Sequence, residues 1–551
     1  MALGYANKGF IQRPAAIPRA VGIYERGFRM FLRDFVRRCA DKFSEDVAFI
    51  DADRRATWGD MDRRSHGLAR TMQDLGLRTG DRTVILSHNR IEVAEHWFAC
   101  LKLGAVRAGL NWRYSTREMM HVIRDCDARM IFVEAKCAAS LADHQDELAA
   151  EGRILIGFGG AHDLSLDYEK LLASNDGSLD LPELAEDGLA AIGYTSGTTG
   201  NPKGVLLSNR NLFTALVFNN MVNGYTKEDV RIYVTNPAGI NINLMCVNMI
   251  NGMPTVLENF QAERFLDQIE EHRITTVTVV PTMLRRIVDD VKTGHWDVSS
   301  LRQVCYGTMP ATPALIRDAY ATLGCEFLNR YGVSESTGAI ALLDNPGHQR
   351  AIGGEFELLR SVGRAMPHAD IQIRDEEGRE VPRGELGLVW IGGDTVMQGY
   401  LNLPELNAQT VFGKWLKTGD FGRMDDRGYV FLGDRQHSMI VTGGFNVYPN
   451  AVENALAECK GVAEAAVFGI PHPQWGEAVV AAVTLSAGAT LTPAELDRHC
   501  RENVAKFEVP KHIVVLPALP RGNTDKVNKR ALQDMLSKPG GVPWNIDKET
   551  A

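Results

Sequence analysis

The chain has 551 residues, of which about 45% are hydrophobic and 23% charged. It is too long for one simple core and has the composition of an ordinary globular protein. A formal charge of −9 (60 basic against 69 acidic residues) argues against a general nucleic-acid or anionic-membrane partner, though not against local basic clefts. Nine cysteines form no C-x-x-C pair and no zinc-spaced His/Cys cluster. With no apolar run near 18 residues and no signal-peptide core at the N-terminus, the sequence reads as a cytoplasmic, enzyme-sized protein without an integral membrane segment.

From about Phe28 to Asp180 helix-like and strand-like segments alternate: "MFLRDFVRRCADKF" (helix), "VAFID" and "RTVILS" (strands), "EVAEHWFACLKLGAV" (helix). That rhythm predicts α/β layers with largely parallel strands. "GLAAIGY" and "VLLS" read as strands flanking a glycine-rich loop, followed by the helix "NLFTALVFNNM" with Ser208 or Asn209 as its cap. "FLDQIEEHRITTVTVVPTMLRRIVDDV" reads as helix, strand, a Pro281 break, and helix. From about Gly363 short strands divided by Gly and Pro turns predict a β-rich subdomain. Beyond Asp434, "PNAVENALAECK", "VAEAAVFGI", "EAVVAAVTL" and "PAELDRHCREN" predict a small α+β domain. The division expected is residues 1–434, a hinge at 435–438, and 439–551.

The loop "YTSGTTGNPKG", Tyr194 to Gly204, concentrates small donors and one cation. Backbone N–H groups of a glycine-rich turn leaving a strand can surround phosphate oxygens. Thr195, Ser196, Thr198 and Thr199 add hydroxyls, Gly197 and Gly200 admit close approach, and Lys203 adds a point charge. It is not a Walker A loop, because Pro202 and Gly204 occupy the places where that motif has Gly and Ser/Thr. On its own it reads equally well as a polar surface loop.

Three further strings carry carboxylates or cations after tight turns. "NRYGVSES" ends in Glu335, and a carboxylate facing a triphosphate is best explained by a bridging Mg²⁺; the ring of Tyr331 can cover a purine face. "KWLKTGD" ends in Asp420, whose two carboxylate oxygens can accept from vicinal ribose hydroxyls. "LPRGNTDKVNKRAL" holds Lys526 within a run of basic residues whose default reading is a solvated tail.

Together these strings resemble the motifs of the adenylate-forming superfamily of acyl-CoA synthetases, luciferases and nonribosomal-peptide adenylation domains. "TSGTTGNPKG" is similar to its phosphate loop. The resemblance implies that Asn329 meets the adenine amino group, Tyr331 stacks on the ring after a turn at Gly332, and Ser334 keeps the hydroxyl of the family's threonine. It implies that Glu335 holds magnesium, Asp420 and Arg435 grip the ribose, and Lys526 bridges the reacting carboxylate and α-phosphate. "GYVFLGDRQHSMIVTGGFNVYP" resembles the stretch containing the interdomain hinge, here His437, with Gly443 and Gly444 beside the path of a thiol acceptor. His437, Ser438 and Asp525 depart from the family pattern.

The implied activity is carboxylate activation by ATP to an acyl-adenylate, then transfer to CoA, with Lys203, Glu335 and Lys526 as catalytic groups and ATP, Mg²⁺ and CoA as cofactors or co-substrates. The acyl pocket is expected at Pro237, Ala238, Gly239 and Ile240 with Tyr306, Gly307, Thr308 and Met309. Neither stretch has Lys or Arg, so the expectation is an apolar monocarboxylate; the alternative is that these small residues only pack a helix start. A carrier-protein thiol as acceptor, and a non-catalytic nucleotide-binding regulator, remain the competing readings. A homodimer is left open.

Overall fold

The computed structural model describes residues 30–537 except 53, 174–178, 196–200, 310, 436–439, 443–444, 448, 473–474, 487 and 523–525. Four sheets organise these residues into a large mixed α/β domain and a smaller C-terminal one.

The first sheet has the parallel strands Arg82–Leu86, Val106–Leu110, Ala128–Glu134 and Ile154–Phe158 at its centre. Helices Ile91–Leu103 and Thr116–Asp125 lie between them in sequence, as the alternating pattern predicts. Strand Leu189–Thr195 joins parallel to Val106–Leu110 and turns into the antiparallel strand Lys203–Ser208. The second sheet repeats the construction with Arg231–Tyr233, Thr255–Leu257, Thr276–Val279, Gln303–Gly307 and Glu326–Val333, all parallel, before Gly338–Leu343 turns back antiparallel. Pro281 divides the strand Thr276–Val279 from the helix Pro281–Thr293, as expected; its missing N–H costs nothing at a first helical position. Ser208, not Asn209, caps the helix Asn209–Asn223 by accepting from the N–H of Asn211.

Polar side chains join the two sheets. Asn89 Nδ2 donates to the carbonyl of Glu258 at 2.8 Å, and Asn236 Nδ2 to Asn111 Oδ1 at 2.6 Å. Fully buried Arg107 donates to the carbonyl of Pro237 at 2.9 Å. The third sheet is antiparallel, with Ala369–Arg374, Gly387–Gly393, Trp415–Met424 and Val430–Arg435. The fourth contains Ile440–Thr442, Phe445–Val447, Val462–His472, Gly476–Leu485 and His512–Val515. Along Gly476–Leu485 alternate residues enter two separate cores: Val479, Ala481 and Val483 on one side, Val480 and Ala482 on the other. The exposed Arg360–Glu458 pair, at 2.7 Å, links this part to the rest; surface pairs of this kind are worth about 0–1 kcal/mol.

All nine cysteines are unpaired thiols. Among the described residues no helix is long and apolar enough to cross a membrane.

Tyr306 and His348 are both fully buried in the core of the second sheet, with Tyr306 Oη 2.9 Å from His348 Nε2 and His348 Nδ1 2.9 Å from the carbonyl of Asp344. Burial pushes the His348 imidazole down from 6.5 to about 4, so the folded state keeps it neutral where the unfolded chain takes up a proton. Its contribution is intact above pH 6.5 and is lost as pH falls towards 4, amounting to about 3 kcal/mol. We expect His348→Gln to unfold more easily at pH 8 but to lose less stability than the parent between pH 6.5 and 4. Denaturant melts across that range check this, and parallel slopes for the two proteins would sink it.

Candidate active site

The glycine-rich loop closes the hairpin in which Thr195 pairs with Lys203 and Tyr194 with Gly204. Ser196, Gly197, Thr198, Thr199 and Gly200 lie outside the described residues. Both ends of the loop are tied down. A Cβ on Gly204 would lie 3.1 Å from the Tyr194 ring, so glycine there lets the ring lie flat across the hairpin. Tyr194 donates to Asp125 Oδ2 at 2.7 Å; burial, with Cys126 and Asp125, pushes its phenol far above the usual range and keeps it a donor. His121 Nε2 lies 3.1 Å from the carbonyl of Pro202.

On its other edge the strand leaving the loop pairs with Gly399–Tyr400, and Leu401 N–H donates to the carbonyl of Gly204 at 2.7 Å. That register brings the Tyr400 ring under the ammonium of Lys203, 4.8 Å from nitrogen to centroid, a contact worth about 0.5–1 kcal/mol. The Tyr400 hydroxyl donates to Glu335 Oε1 at 2.6 Å, while Met397 N–H holds the carbonyl of Glu335 at 2.8 Å. Lys203 and Glu335 thereby meet through Tyr400, a residue that sequence reading left without a role.

Glu335 lies in a short 3₁₀ turn, Ser334–Ser336, after the strand Glu326–Val333. Ser336 Oγ donates to the carbonyls of Val333 and Gly338, and Thr337, with φ +57°, donates to the carbonyl of Thr395 at 2.6 Å. A Cβ on Gly332 would fall 1.8 Å from the carbonyl oxygen of Gly338, so only glycine allows the register shift between Tyr331 and Gly332 that releases this turn. Alternation along the strand sends Asn329 and Tyr331 to one face. Asn329 Nδ2 donates to the carbonyl of Ser361 at 3.2 Å, and the Tyr331 hydroxyl donates to Asp420 Oδ2 at 2.6 Å. Asp420, 7% exposed, is set by Thr418, whose Oγ1 donates to the carbonyl of Val389 and accepts from Asp420 N–H.

In the third sheet Asp420 stands directly opposite Arg435. His437, Gly443 and Gly444 lie outside the described residues. Lys526 is exposed on a turn whose carbonyl accepts from Gly522 N–H at 2.7 Å; it is not among the side chains joined by the contacts above.

A narrow cavity opens between the helix Asn209–Asn223 (Leu216, Asn219), the segment around Ile240 and Leu244, and Gly338–Ala339 just after Glu335. Of the eight residues expected to form an acyl pocket, Ile240 lines it. Ala238 and Gly239 instead lie on the first sheet: a Cβ on Gly109 would fall 2.7 Å from Ala238 Cα and 2.8 Å from Gly239 N. Their small size is explained by that approach, with Pro237 held by Arg107 and Gly239 at φ +62°. Tyr306 points into the core towards His348. Gly307 packs on Arg330, its Cβ position 2.3 Å from that carbonyl oxygen. Thr308 (φ +67°) and Met309 follow at the strand end, where Tyr306 pairs with Asn329 and Gly307 with Arg330, beside the Tyr331–Asp420 group.

The AMP-binding enzyme family model matches residues 36–401, and the AMP-binding enzyme C-terminal domain model residues 451–526. Fatty acid–[acyl-carrier-protein] ligase ScoC of Streptomyces coeruleorubidus is 32% identical over 492 residues, 87% of this chain and 92% of its own. Indoleacetate–CoA ligase of Aromatoleum aromaticum is 32% identical over 477 residues, 86% and 91% of the two chains. The solved structure of amide bond synthetase McbA from Marinactinospora thermotolerans matches with a TM-score of 0.81 at 29% identity, over 91% of this chain and 99% of that one.

Tyr400→Phe retains the ring under Lys203 but removes the hydrogen bond to Glu335. A hydrogen bond to a charged group is worth about 1.5–3 kcal/mol when buried and less at this half-exposed site, so we expect adenine-nucleotide affinity to fall by roughly tenfold in the presence of magnesium. Tyr400→Leu, which also removes the ring, should lose more. Calorimetric titration with a non-hydrolysable ATP analogue measures both, and parental affinity in both variants would remove Tyr400 from the site.

Proposed function

The chain belongs to the AMP-binding enzyme family of ATP-dependent, adenylate-forming ligases, and from that premise we propose that it is an AMP-forming acyl-CoA synthetase. The observation that carries this reading is the convergence of Lys203, Tyr400 and Glu335 at the mouth of the glycine-rich hairpin, with a narrow cavity lined by Thr337, Gly338 and Ala339 just beyond Glu335.

The first step joins a carboxylate oxygen of the acid to the α-phosphorus of ATP and breaks the bond from that phosphorus to the bridging oxygen, releasing pyrophosphate. The hairpin amides and Lys203 hold the phosphate chain, which lowers the entropic cost of bringing two anions together and offsets their repulsion. Glu335 fits a magnesium site: its Oε1 is occupied by Tyr400, and its Oε2 has no partner among the described residues. A magnesium ion held there would screen the phosphate charge. Asp420, fixed by Tyr331 on one side and opposite Arg435 on the other, would accept from the ribose hydroxyls, with Asn329 near the base. In the second step a thiol attacks the acyl carbon, the bond to the AMP oxygen breaks, and the thiol proton leaves to solvent.

Lys526 is the cation we assign to the first step, on a C-terminal domain that turns about a hinge at 435–438 to expose the path for CoA at Gly443–Gly444. The apolar side chains of Leu216, Ile240 and Leu244 support an acid with an apolar stem. The acceptor is the finer point, since the relatives include both a CoA ligase and a carrier-protein ligase.

Lys526→Ala should slow formation of acyl-adenylate from acid and ATP by on the order of 10²–10³-fold, while thioester formation from preformed acyl-adenylate stays within severalfold of the parent. Equal loss of both half-reactions would refute the assignment. With a panel of acids, CoA-dependent release of AMP with thioester supports the synthetase. Adenylate accumulation indifferent to CoA favours a carrier thiol as acceptor, and silence throughout a nucleotide-binding regulator.

A further inference from the structure

We propose that Arg330, with Asn219 and Asn223, forms a subsite for an anionic group at the far end of the acyl substrate, so that the preferred acid carries a second carboxylate. The proposal rests on the adenylating reading above and names the substrate class for that site.

Arg330 stands between Asn329 and Tyr331, and alternation turns it to the opposite face of the strand, against the helix Asn209–Asn223. Its Nη1 lies 3.4 Å from Asn219 Oδ1, its Nη2 donates to Asn223 Oδ1, and its Nε has no partner. Asn219 itself lines the cavity, so the guanidinium stands directly behind the cavity wall. Asn223 Oδ1 also accepts from the Cys305 thiol at 3.1 Å, and Asn223 Nδ2 turns back to Asn219 Oδ1 at 3.0 Å. The groups that touch the guanidinium, the amides of Asn219 and Asn223 with the Tyr225 phenol and the Cys305 thiol, are all neutral.

Several partly buried arginines elsewhere meet carboxylates. Arg54 and Arg64 both reach Glu95 at 2.7 Å, and Arg302 reaches Asp229 at 3.0 Å. Around the cavity the pattern is reversed. Arg107 and Arg231, both fully buried, donate to the carbonyls of Pro237 and Leu244, at either end of the segment that supplies Ile240. Neither has a carboxylate partner among the described residues, and each leaves its Nε without one. Three guanidinium groups thus bind residues in or next to the cavity lining, and among the described residues none has an acidic side chain against it. A charge withdrawn from water without a counter-charge costs several kcal/mol. An anion carried in by the substrate would neutralise it, and of the three only Arg330 reaches a cavity-lining side chain. The apolar stem would lie along Leu216, Ile240 and Leu244, with the reacting carboxylate at the Glu335 end.

Diacids of four to ten carbons, their monomethyl esters and monocarboxylates of equal length separate charge from size. Pyrophosphate release without CoA gives kcat/KM for each acid, and calorimetry gives its binding in parallel. The parent protein should favour a diacid over its monomethyl ester by on the order of 100-fold or more, chiefly through KM. In Arg330→Met that ratio should collapse to within about tenfold, and Arg330→Lys should restore part of it. Equal kcat/KM for diacid and ester in the parent protein, or preference for the monocarboxylate, overturns the distal anion site and leaves the ligase standing. If no acid releases pyrophosphate, the ligase reading fails, and calorimetry still decides the subsite: tighter binding of diacid than ester supports it, equal binding overturns it. Both comparisons use the parent protein, so misfolding of a variant cannot mask the outcome.

Discussion

Two residues of backbone pairing hold the candidate active site together. The strand that leaves the glycine-rich loop could carry Lys203 anywhere along its twist. Pairing of Gly399–Tyr400 along its free edge fixes it and delivers one aromatic side chain between a lysine and a carboxylate that come from different sheets. Tyr400 meets two opposite charges at once, one with its ring and the other with its hydroxyl. A direct ion pair would satisfy both groups before any phosphate arrived. With the ring interposed, the ammonium meets a π-face and the carboxylate a neutral hydroxyl, both weaker partners than a phosphate oxygen or a hard cation.

Treatment of charge distinguishes scaffold from site across the molecule. Glu95, fully buried, accepts from Arg54, Arg64 and Tyr168, so every lone pair lost to burial is recovered. Burial alone would push its carboxyl up; the two arginines outweigh it and hold it below the usual range. His348 solves the same problem by remaining neutral. Arg107 is lowered to about 10 by burial and still carries its charge at neutral pH, with a carbonyl as its partner. Arg107, Arg231 and Arg330, on strands of the two large sheets, have no carboxylate partner among the described residues.

Much of the fold was legible because its signals are local. The helix–strand rhythm, the cap at Ser208 and the paired strands of the C-terminal domain all follow from patterns within about fifteen residues. The pairings of Lys203 with Glu335 through Tyr400, and of Tyr331 with Asp420, join strings whose glycines are forced by close contact, with side chains at Gly204 and with backbone at Gly332. Tyr400 was not legible, because its role depends on one strand pairing with another nearly two hundred positions earlier. What surrounds the residues expected at an acyl pocket was not legible for a related reason. Ala238 and Gly239 look like cleared space in one dimension, yet in three they are the contact surface for Gly109 on another sheet. Tyr306, read as a wall, belongs to the core through His348.

Arg330 shows most directly what a motif conceals. It sits inside "NRYGVSES", between two residues with assigned roles, and the strand's two-residue period sends it where neither neighbour goes. On the proposed reading one strand would serve both partners of the reaction, with Asn329 and Tyr331 towards the nucleotide, Arg330 towards the acyl group and Glu335 in the turn beyond. Since the Tyr331–Gly332 bulge fixes the register of that turn, the spacing from distal anion to α-phosphate is set by backbone rather than by side-chain reach. A rigid spacing of that kind selects the length of the acid as strictly as its charge.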